Sequence, residues 1–348
     1  MNPKRYIIPV FIPNEGCKHT CVFCNQHRIS GARYIPSTDN IHIAAGSLKS
    51  VDCPAEIAFY GGSFTAIPEE QQDEYLLAAQ PFLAQNPLYS IRISTRPDCI
   101  DEATIDRLVR YGVKTIELGA QSMCDDVLAM SRRGHTSEDI VRAAEMIKSA
   151  ELSLILQMMT GLPGDTFEKS LYTARRFIEI KPDGVRVYPT VVVCDTELYK
   201  MWRSGLYREH TVEDAIELCA QICAMFLEAD IQIIRLGLNP TEALSSGTAV
   251  AGAYHPAFGE LVYSKIYYNK AAALLRDVPE GSSVTITVPK GRISMMVGQK
   301  RENIRKLTKE FTLASIKVVE KDSAHIALKY GKNMLSDSIE IALHKVYN

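Results

Sequence analysis

Three cysteines near the start of the chain have the residue type and the spacing to bind a metal group. Cys17, Cys21 and Cys24 form the pattern C-x3-C-x2-C. Cysteine thiolates are the usual protein ligands of iron–sulfur clusters, and a [4Fe–4S] cluster has four irons to coordinate. Three thiolates therefore leave one iron without a protein ligand, and an open iron is a position at which chemistry can occur.

A structural zinc site is the alternative for the same loop. His19 or His27 could supply a fourth ligand beside the three cysteines. Structural zinc sites of this kind commonly add a second pair of ligands farther along the chain, and no pair is spaced that way here. The spacing therefore favours an iron–sulfur cluster and leaves zinc as the alternative.

The elements that must position this loop alternate between short β-rich runs and longer amphipathic stretches over the first 240 residues. Such alternation predicts parallel strands joined by crossover helices. No GxGxxG pattern opens the first unit, so we predict an α/β fold built on a partial or full (β/α) barrel. The predicted strands are 6–12, 56–60, 90–95, 114–118, 152–158, 184–188 and 231–236, and the predicted helices are 68–84, 101–111, 137–150, 166–180 and 212–229.

The predicted strands end in polar or glycine-rich segments. In parallel β/α structures the carboxyl ends of the strands meet at one rim, where binding sites form. Six such segments in succession therefore predict the rim of a single site. They are GGSFT (61–65), TRPD (95–98), GAQS (119–122), TGLPG (160–164), YPT (188–190) and GLNP (237–240).

These motifs resemble those of the radical S-adenosylmethionine (SAM) superfamily. The cysteine loop has an aromatic residue before its last cysteine, and GGSFT, LGAQS (118–122) and GLPG (161–164) match later family motifs. Within the superfamily the chain is most similar to the radical SAM domain of the Elongator catalytic subunit, which modifies wobble uridine in tRNA. That similarity rests on TRPD, SRRGHT (131–136), YPT and TELY (196–199), and it covers about residues 6–240. The acetyltransferase domain of Elongator has no counterpart here, so the resemblance does not imply the Elongator product.

The resemblance implies two cofactors. Cys17, Cys21 and Cys24 would hold a [4Fe–4S] cluster, and SAM would chelate its open iron. A reductant such as flavodoxin or ferredoxin would drive the reductive cleavage of SAM to a 5′-deoxyadenosyl radical, which abstracts hydrogen from the substrate. The residue that completes catalysis on the substrate is not identified.

The resemblance also implies a set of SAM contacts. Phe23 would lie against the adenine, the backbone at Gly61 to Ser63 would receive the amino group, and Arg133 would meet the carboxylate. Ser94 stands where relatives often have a carboxylate for the ribose. The full set is Phe23, Gly61, Gly62, Ser63, Ser94, Gln121, Arg133 and Gln157.

The last fifth of the chain differs in pattern and in charge. Residues 281–348 contain 12 Lys and Arg against 6 Asp and Glu, whereas the rest contains 27 against 35. The predicted order is strand 283–288, helices 293–297 and 302–310, strands 315–319 and 325–328, and helix 334–346. This order resembles a KH domain, in which a GxxG loop clamps a nucleic-acid backbone. The loop here is Gly298, Gln299, Lys300 and Arg301, so the second glycine is lost.

Composition bounds the remaining expectations. We predict a radical SAM barrel over 1–240, a barrel-closing helical extension over 241–280 and a KH-like basic domain over 281–348.

The net charge of −2 gives no whole-chain attraction to nucleic acid. No apolar run approaches the roughly 18 residues of a membrane helix. Nine cysteines without paired spacing indicate a reducing cytoplasm.

The sequence thus predicts a cytoplasmic radical SAM enzyme that acts on RNA, with tRNA as the first candidate. A second hypothesis is a radical SAM enzyme for a small molecule or peptide, similar to oxygen-independent coproporphyrinogen dehydrogenase, whose C-terminal fold only caps the barrel. A third is a zinc-bearing RNA-binding protein without catalytic activity.

Overall fold

Seven parallel strands form the main sheet in a computed structural model that describes residues 6–12, 17, 21–25, 37–46, 53–239, 247–323 and 325–336. Each strand pairs with the next one along the chain, except that β6 pairs directly with β8. The strands are β1 (Tyr6–Phe11), β2 (Ala55–Tyr60), β3 (Tyr89–Thr95), β4 (Val113–Gln121), β5 (Ser153–Thr160), β6 (Gly184–Pro189) and β8 (Gln232–Leu236), and β7 (Val191–Val193) forms a separate ladder with β9 (Ala249–Gly252).

Helices lie between successive strands along the chain and after β9. They are α1 (Thr38–Gly46), α2 (Glu69–Leu83), α3 (Glu102–Arg110), α4 (Asp125–Met130), α5 (Ser137–Ser149), α6 (Phe167–Ile180), α7 (Glu197–Arg203), α8 (Val212–Glu228) and α9 (Phe258–Leu275). Within the described ranges, no helix has both the length and the apolar composition needed to cross a membrane.

The two faces of the sheet carry different side chains, because successive residues of a strand point to opposite faces. In β4, Ile116 and Leu118 belong to the apolar core that the helices cover. Thr115 and Glu117 alternate with them, and both are also fully buried. The concave face of the sheet is therefore polar and enclosed, and it is the face that can hold a reactive group.

The sheet is a partial barrel. Among the described residues, no strand pairs with the outer edge of β1 or of β8. The edge strand β1 contains Pro9, which pairs in register with Ala58 of β2. A proline has no N–H to donate, so it is tolerated where that donor is not needed by a neighbouring strand.

The predicted strands and long helices are confirmed, and their ends shift by a few residues. The sequence analysis missed the short helices α1, α4 and α7 and the ladder of β7 with β9. Helices α4 and α7 have only 6 and 7 residues, too few for a clear amphipathic period.

The C-terminal part forms a second sheet with two short helices. Strands β10 (Ser283–Pro289), β11 (Ser315–Lys321), β12 (Ala327–Tyr330) and β13 (Asn333–Ser336) lie in the order β11-β10-β12-β13, and helices α10 (Ile293–Val297) and α11 (Glu302–Glu310) connect β10 to β11. The prediction of a helix from residue 334 is wrong over 334–336, which pair with β12 as a hairpin. The remainder of that predicted helix lies outside the described residues.

The C-terminal sheet and the barrel share one core. Val262 and Tyr267 of α9 belong to the same buried apolar cluster as Ile57 of β2 and as Val288 and Leu307 of the C-terminal part. Helix α9 thus joins the two sheets through packing. The domain boundaries at residues 240 and 280 stay a prediction.

Candidate functional site

The cysteine loop after β1 is fastened by backbone hydrogen bonds to two distant segments. The Val22 amide donates to the Ser131 carbonyl across 3.2 Å, and the Leu198 amide of α7 donates to the Val22 carbonyl across 2.7 Å. The Cys24 amide donates to the Cys21 carbonyl across 3.1 Å, which makes a tight turn between these two cysteines. The loop is therefore held against the residue that follows α4 and against the first turn of α7.

Arg133 is the basic residue in direct contact with a cysteine of this loop. Its Nη1 donates to Cys21 Sγ across 3.1 Å, and its Nη2 donates to the Gly119 carbonyl at the end of β4. Arg96 in turn donates to the Arg133 carbonyl and forms a two-point ion pair with Asp98, at 2.9 and 3.1 Å. This chain of contacts fixes a guanidinium at a buried sulfur.

Besides the cysteine loop and Arg133, the site includes the glycine segment, residues 61–65, which follows β2. The Ser63 hydroxyl lies 3.1 Å from Thr95 Oγ1, and the Thr65 hydroxyl lies 2.6 Å from the same atom. Gly61 has φ +96°, a conformation that glycine adopts without steric cost. The segment is thereby held against the end of β3.

The same segment adjoins the first cysteine. Loss of water contact around its sulfur raises the pKa of Cys17, although much of the residue is exposed, and the nearby Cys21 thiol raises this pKa further. Arg96, Arg133 and a backbone hydrogen bond from Ser63 lower it. Residues from three segments therefore surround the Cys17 sulfur.

Two predicted SAM residues present unpartnered polar atoms. Ser94 Oγ and Gln121 Oε1 are buried, and neither has a hydrogen-bond partner within the described part of the chain. Gln121 ends β4 with φ +70°, after a register shift between β4 and β5. A Cβ added at Gly119 would stand 3.0 Å from Arg133 Nη2 and 3.1 Å from Gln121 Nε2. Buried polar atoms normally have partners, so these atoms suit a bound polar ligand.

Two further predicted SAM residues, Gln157 and Phe23, lie differently. Gln157 Nε2 donates to Glu117 Oε2 across 3.1 Å, which places this amide in the network described next. Phe23 packs with an apolar cluster that includes Val22, Leu198 and Tyr207. This cluster covers one side of the cysteine loop.

Sequence reasoning missed a buried charge network on the concave face. Glu117 Oε1 accepts from Arg92 Nη1 at 2.8 Å, from Arg186 Nη2 at 2.9 Å and from the Tyr60 hydroxyl at 3.1 Å. Burial alone raises the pKa of Glu117, but the two guanidiniums outweigh it and hold the pKa below its ordinary value. No local motif marks these residues, because each lies on a different strand.

A second carboxylate completes the network. Glu56 Oε2 lies 2.5 Å from Arg92 Nη2, and Glu56 Oε1 accepts from the Thr115 hydroxyl across 2.6 Å. Arg186 Nη2 also lies 3.1 Å from the Tyr60 hydroxyl, although three strands separate β2 from β6. The sheet must curve strongly for these side chains to meet.

His135 lies beside the Arg133 segment and is uncharged at neutral pH. Burial lowers the pKa of His135 to about 4, and the charge of Arg133 contributes in the same direction. Its Nε2 lies 3.2 Å from the Ala120 carbonyl, so this nitrogen carries the proton. The neutral ring therefore adds no second cation next to Arg133.

The predicted RNA loop connects α10 to α11. Lys300 and Arg301 both have positive φ, +49° and +61°, and Gly298 has φ +73°. The Asn303 side chain anchors the loop, donating to the Ser264 carbonyl across 3.0 Å and to the Ser264 hydroxyl across 2.9 Å. Both cationic side chains are exposed.

The zinc alternative depends on residues that the structure does not describe. His19 and His27, its possible fourth ligands, lie outside the described ranges. Within those ranges, no three His, Cys, Asp or Glu side chains are arranged to hold a metal ion, and this applies to Cys17, Cys21 and Cys24 as well.

Comparisons with known proteins agree with the resemblance. Residues 11–177 match the model of the radical SAM superfamily, and residues 182–268 match that of the radical SAM C-terminal domain. Elongator complex protein 3 of Bos taurus is 32% identical over 218 residues, which cover 56% of this chain and 40% of that protein. The tRNA uridine(34) acetyltransferase of Methanocaldococcus jannaschii is 31% identical over 183 residues, which cover 47% of this chain and 34% of that protein.

A solved structure shares the fold. It is the archaeal Elp3 of Methanocaldococcus infernus with an N-terminal deletion, with a TM-score of 0.60 and 22% identity over 76% of this chain and 63% of that chain. The chain spans less than half the length of the two curated relatives that it matches.

Proposed function

The chain belongs to the radical SAM superfamily, and on that premise we propose that it modifies RNA, with tRNA as the first candidate substrate. Enzymes of this superfamily use a [4Fe–4S] cluster and SAM. Bound together, these two cofactors supply the one-electron chemistry that abstracts a hydrogen atom from a substrate.

Cys17, Cys21 and Cys24 are the residues that we propose as cluster ligands. Three thiols on one short loop match a cluster that keeps one iron open. The Arg133 guanidinium at Cys21 and the Ser63 amide at Cys17 support this assignment, because hydrogen bonds to ligand sulfurs tune a cluster. His19 and His27 are not needed for this donor set.

The SAM site proposed here lies between the glycine segment and the end of β4. The Ser94 hydroxyl and the Gln121 amide oxygen are available there, since both are buried without a partner among the described residues. Gly61, Gly62 and Ser63 would offer backbone groups, and Arg133 would attract the carboxylate of SAM. Phe23 and its apolar cluster would keep water from this side of the site.

RNA as the substrate class rests mainly on the loop from Gly298 to Arg301. Arg301 stands at the second glycine position of the GxxG pattern, and it adopts the left-handed conformation that glycine prefers there. A left-handed non-glycine residue costs about 1–2 kcal/mol. Such strain persists where the surrounding structure enforces it, commonly at ligand-binding segments. Retaining a cation at this cost supports contact with a phosphate backbone.

The relatives favour the same substrate class, because two of them carry names that refer to Elongator and to tRNA uridine modification.

We further propose that a small electron-transfer protein, flavodoxin or ferredoxin, reduces the cluster. A cytoplasmic location fits the cysteines, since none of the nine, all of which the structure describes, takes part in a disulfide bond.

RNA retention by the anaerobically reconstituted protein tests this function. Lys300→Glu combined with Arg301→Glu should abolish tRNA retention and leave SAM cleavage in the absence of RNA intact. The matched control is Lys317→Glu with Lys321→Glu, which reverses two exposed charges on β11 of the C-terminal sheet. Unchanged retention in the loop variant, or an equal loss in the control, would favour a small-molecule or peptide substrate instead.

A further inference from the structure

The concave face of the barrel holds a guanidinium that the Glu117 network does not neutralise. Arg235 of β8 pairs in register with Arg186 of β6, so the two side chains stand on adjacent strands. Arg186 is held by Glu117 and lies 3.3 Å from the Tyr188 hydroxyl through Nη1. Arg235 has no ion pair with any described residue, and its hydrogen bond is a long one, 3.4 Å from Nε to the Gly237 carbonyl.

The surroundings of Arg235 disfavour its charge. Partial burial lowers the pKa of Arg235, and the neighbouring Arg186 lowers it too, while Tyr188 raises it. Arg186 contributes a further unsatisfied donor, because its Nε is buried without a partner in the described part of the chain. Two guanidiniums with spare donors thus lie side by side.

The charges on this face do not balance. Among the described residues that belong to this network, Glu56 and Glu117 face Arg92, Arg186 and Arg235, which leaves one positive charge in excess. A half-buried cation without a counterion is destabilising, and proteins keep such groups where a ligand supplies the missing charge. An enclosed surface of one sign also concentrates ligands of the opposite charge.

We propose that Arg186 and Arg235, together with the Tyr188 hydroxyl, form a subsite for an oxyanion, a phosphate or carboxylate group, carried by the substrate. Adjacent guanidiniums suit this class of group, because planar N–H donors pair with two oxygens of one phosphate or carboxylate. The proposal rests on the proposed function, since it concerns the molecule that the radical chemistry acts on. It requires that the substrate carry a phosphate or carboxylate group, which binding of the cluster and SAM alone does not require.

The subsite lies apart from the contacts that we propose for SAM at the ends of β2, β3 and β4, although Gln157, another expected SAM contact, donates to the same Glu117 that binds Arg186. Arg133 lies at the carbonyl of Gly119, whereas Arg186 binds Glu117, two residues earlier on the same face of β4. Arg186 pairs in register with Gln157 of β5, and Tyr188 lies two residues nearer the carboxyl end of β6, so the subsite differs from these contacts in its position across the sheet and not in its depth. Arg235 is also on the last strand of the sheet, while the cysteine loop follows the first.

Calorimetric titration of the anaerobically reconstituted protein tests the subsite, with inorganic phosphate and succinate as probes. At least one probe should bind, and the tighter of the two identifies the preferred oxyanion. Arg235→Met should raise the dissociation constant of that probe about tenfold or more, the effect of losing a charge-assisted hydrogen bond. Arg235→Lys should retain part of the affinity, and Arg142→Met, which removes an exposed arginine of α5, should change nothing.

A stability measurement separates ligand binding from a structural role. Among the described residues, no carboxylate forms an ion pair with Arg235. Arg235→Met should therefore leave the melting temperature of the anion-free protein unchanged or raise it. A lower melting temperature together with unaltered anion affinity would overturn the proposal and make Arg235 a packing residue. Absence of binding by either probe would overturn it as well.

Competition with SAM distinguishes the two anion sites. Saturating SAM should leave the dissociation constant of the probe within about twofold, and Arg235→Met should leave SAM affinity unchanged. Displacement of the probe by SAM would assign the arginine pair to the SAM carboxylate and end the proposal. The tRNA retention of the Lys300 and Arg301 variant does not affect the dissociation constants of the probe or of SAM. The proposal of an RNA substrate and the proposal of an oxyanion subsite can therefore be refuted independently.

Discussion

Arg133 Nη1 donates a hydrogen bond to Cys21 Sγ across 3.1 Å, although 112 residues separate them in the chain. The same guanidinium donates to the Gly119 carbonyl, so one side chain joins the cysteine loop to the end of β4. This bridge connects the two places at which we propose that the cluster and SAM bind.

Replacement of Arg133 by methionine should weaken SAM binding. Loss of a charged donor typically costs about 1.5–3 kcal/mol, which raises a dissociation constant about tenfold or more. Equilibrium binding of SAM to the reconstituted protein measures this. Arg132→Met is the matched control, because Arg132 is the neighbouring residue, is exposed and lies 3.8 Å from Glu197. Equal SAM affinity in both variants would remove Arg133 from the SAM site.

Replacement of Cys21 by alanine should abolish cluster binding, since two thiolates do not hold a four-iron cluster. Iron and sulfide per chain, together with the brown colour after anaerobic reconstitution, report the loss. Cys124→Ala, which removes a half-buried thiol outside the loop, should retain full iron content. Normal iron content and normal SAM cleavage in the Cys21 variant would contradict the ligand assignment.

Replacement of Gly61 by alanine should impair both stability and SAM binding. The φ of +96° forces an alanine into a strained conformation, with a cost of about 1–2 kcal/mol in the free energy of unfolding. Gly205→Ala imposes comparable strain at φ +75° with open space around the added methyl group. We expect denaturant unfolding to show similar losses for both, and SAM affinity to fall only at position 61. A fall in SAM affinity at both positions would make the effect one of stability alone.

Replacement of Glu117 by glutamine should destabilise the barrel by roughly 3–5 kcal/mol, because it leaves the largely buried Arg186 without its carboxylate and Arg92 with Glu56 alone. The pKa of Glu117 is lowered in the folded state, so its stabilising contribution is complete above the ordinary glutamate pKa of about 4.3. That contribution is lost as the pH falls through the lowered pKa.

Unfolding free energies at pH 7 and in acid test this dependence. The difference between wild type and Glu117→Gln should be larger at pH 7 and should shrink in acid. Glu145→Gln, on the exposed face of α5, should show little difference at either pH. A constant difference across the pH range would show that the lost interaction is not ionic.

The sheet was predictable because its signals are local. The strand from Ala55 to Tyr60 is a short apolar run that ends in glycines, and the three cysteines carry their meaning in their spacing alone. The contact of Arg133 with Cys21 and the network around Glu117 were not predictable, since they depend on how far the sheet curves.

Errors at the C-terminus have a similar origin. Residues 334–336 form a hairpin with β12, a pairing that depends on the neighbouring strand more than on intrinsic helical preference. At the SAM site, Gln157 stays a prediction, and its amide nitrogen donates to Glu117, a contact that the motif did not indicate. A motif identifies a position in the chain, whereas the partner of its side chain is set by residues far away.

Pro9 in the edge strand β1 has a consequence for self-association. An open edge invites a strand from a second molecule, and proline interrupts the row of donors on which such an addition depends. The outer edge of β1 is therefore a poor starting point for aggregation between molecules. Pro9 thus disfavours the addition of a strand from a second molecule along β1.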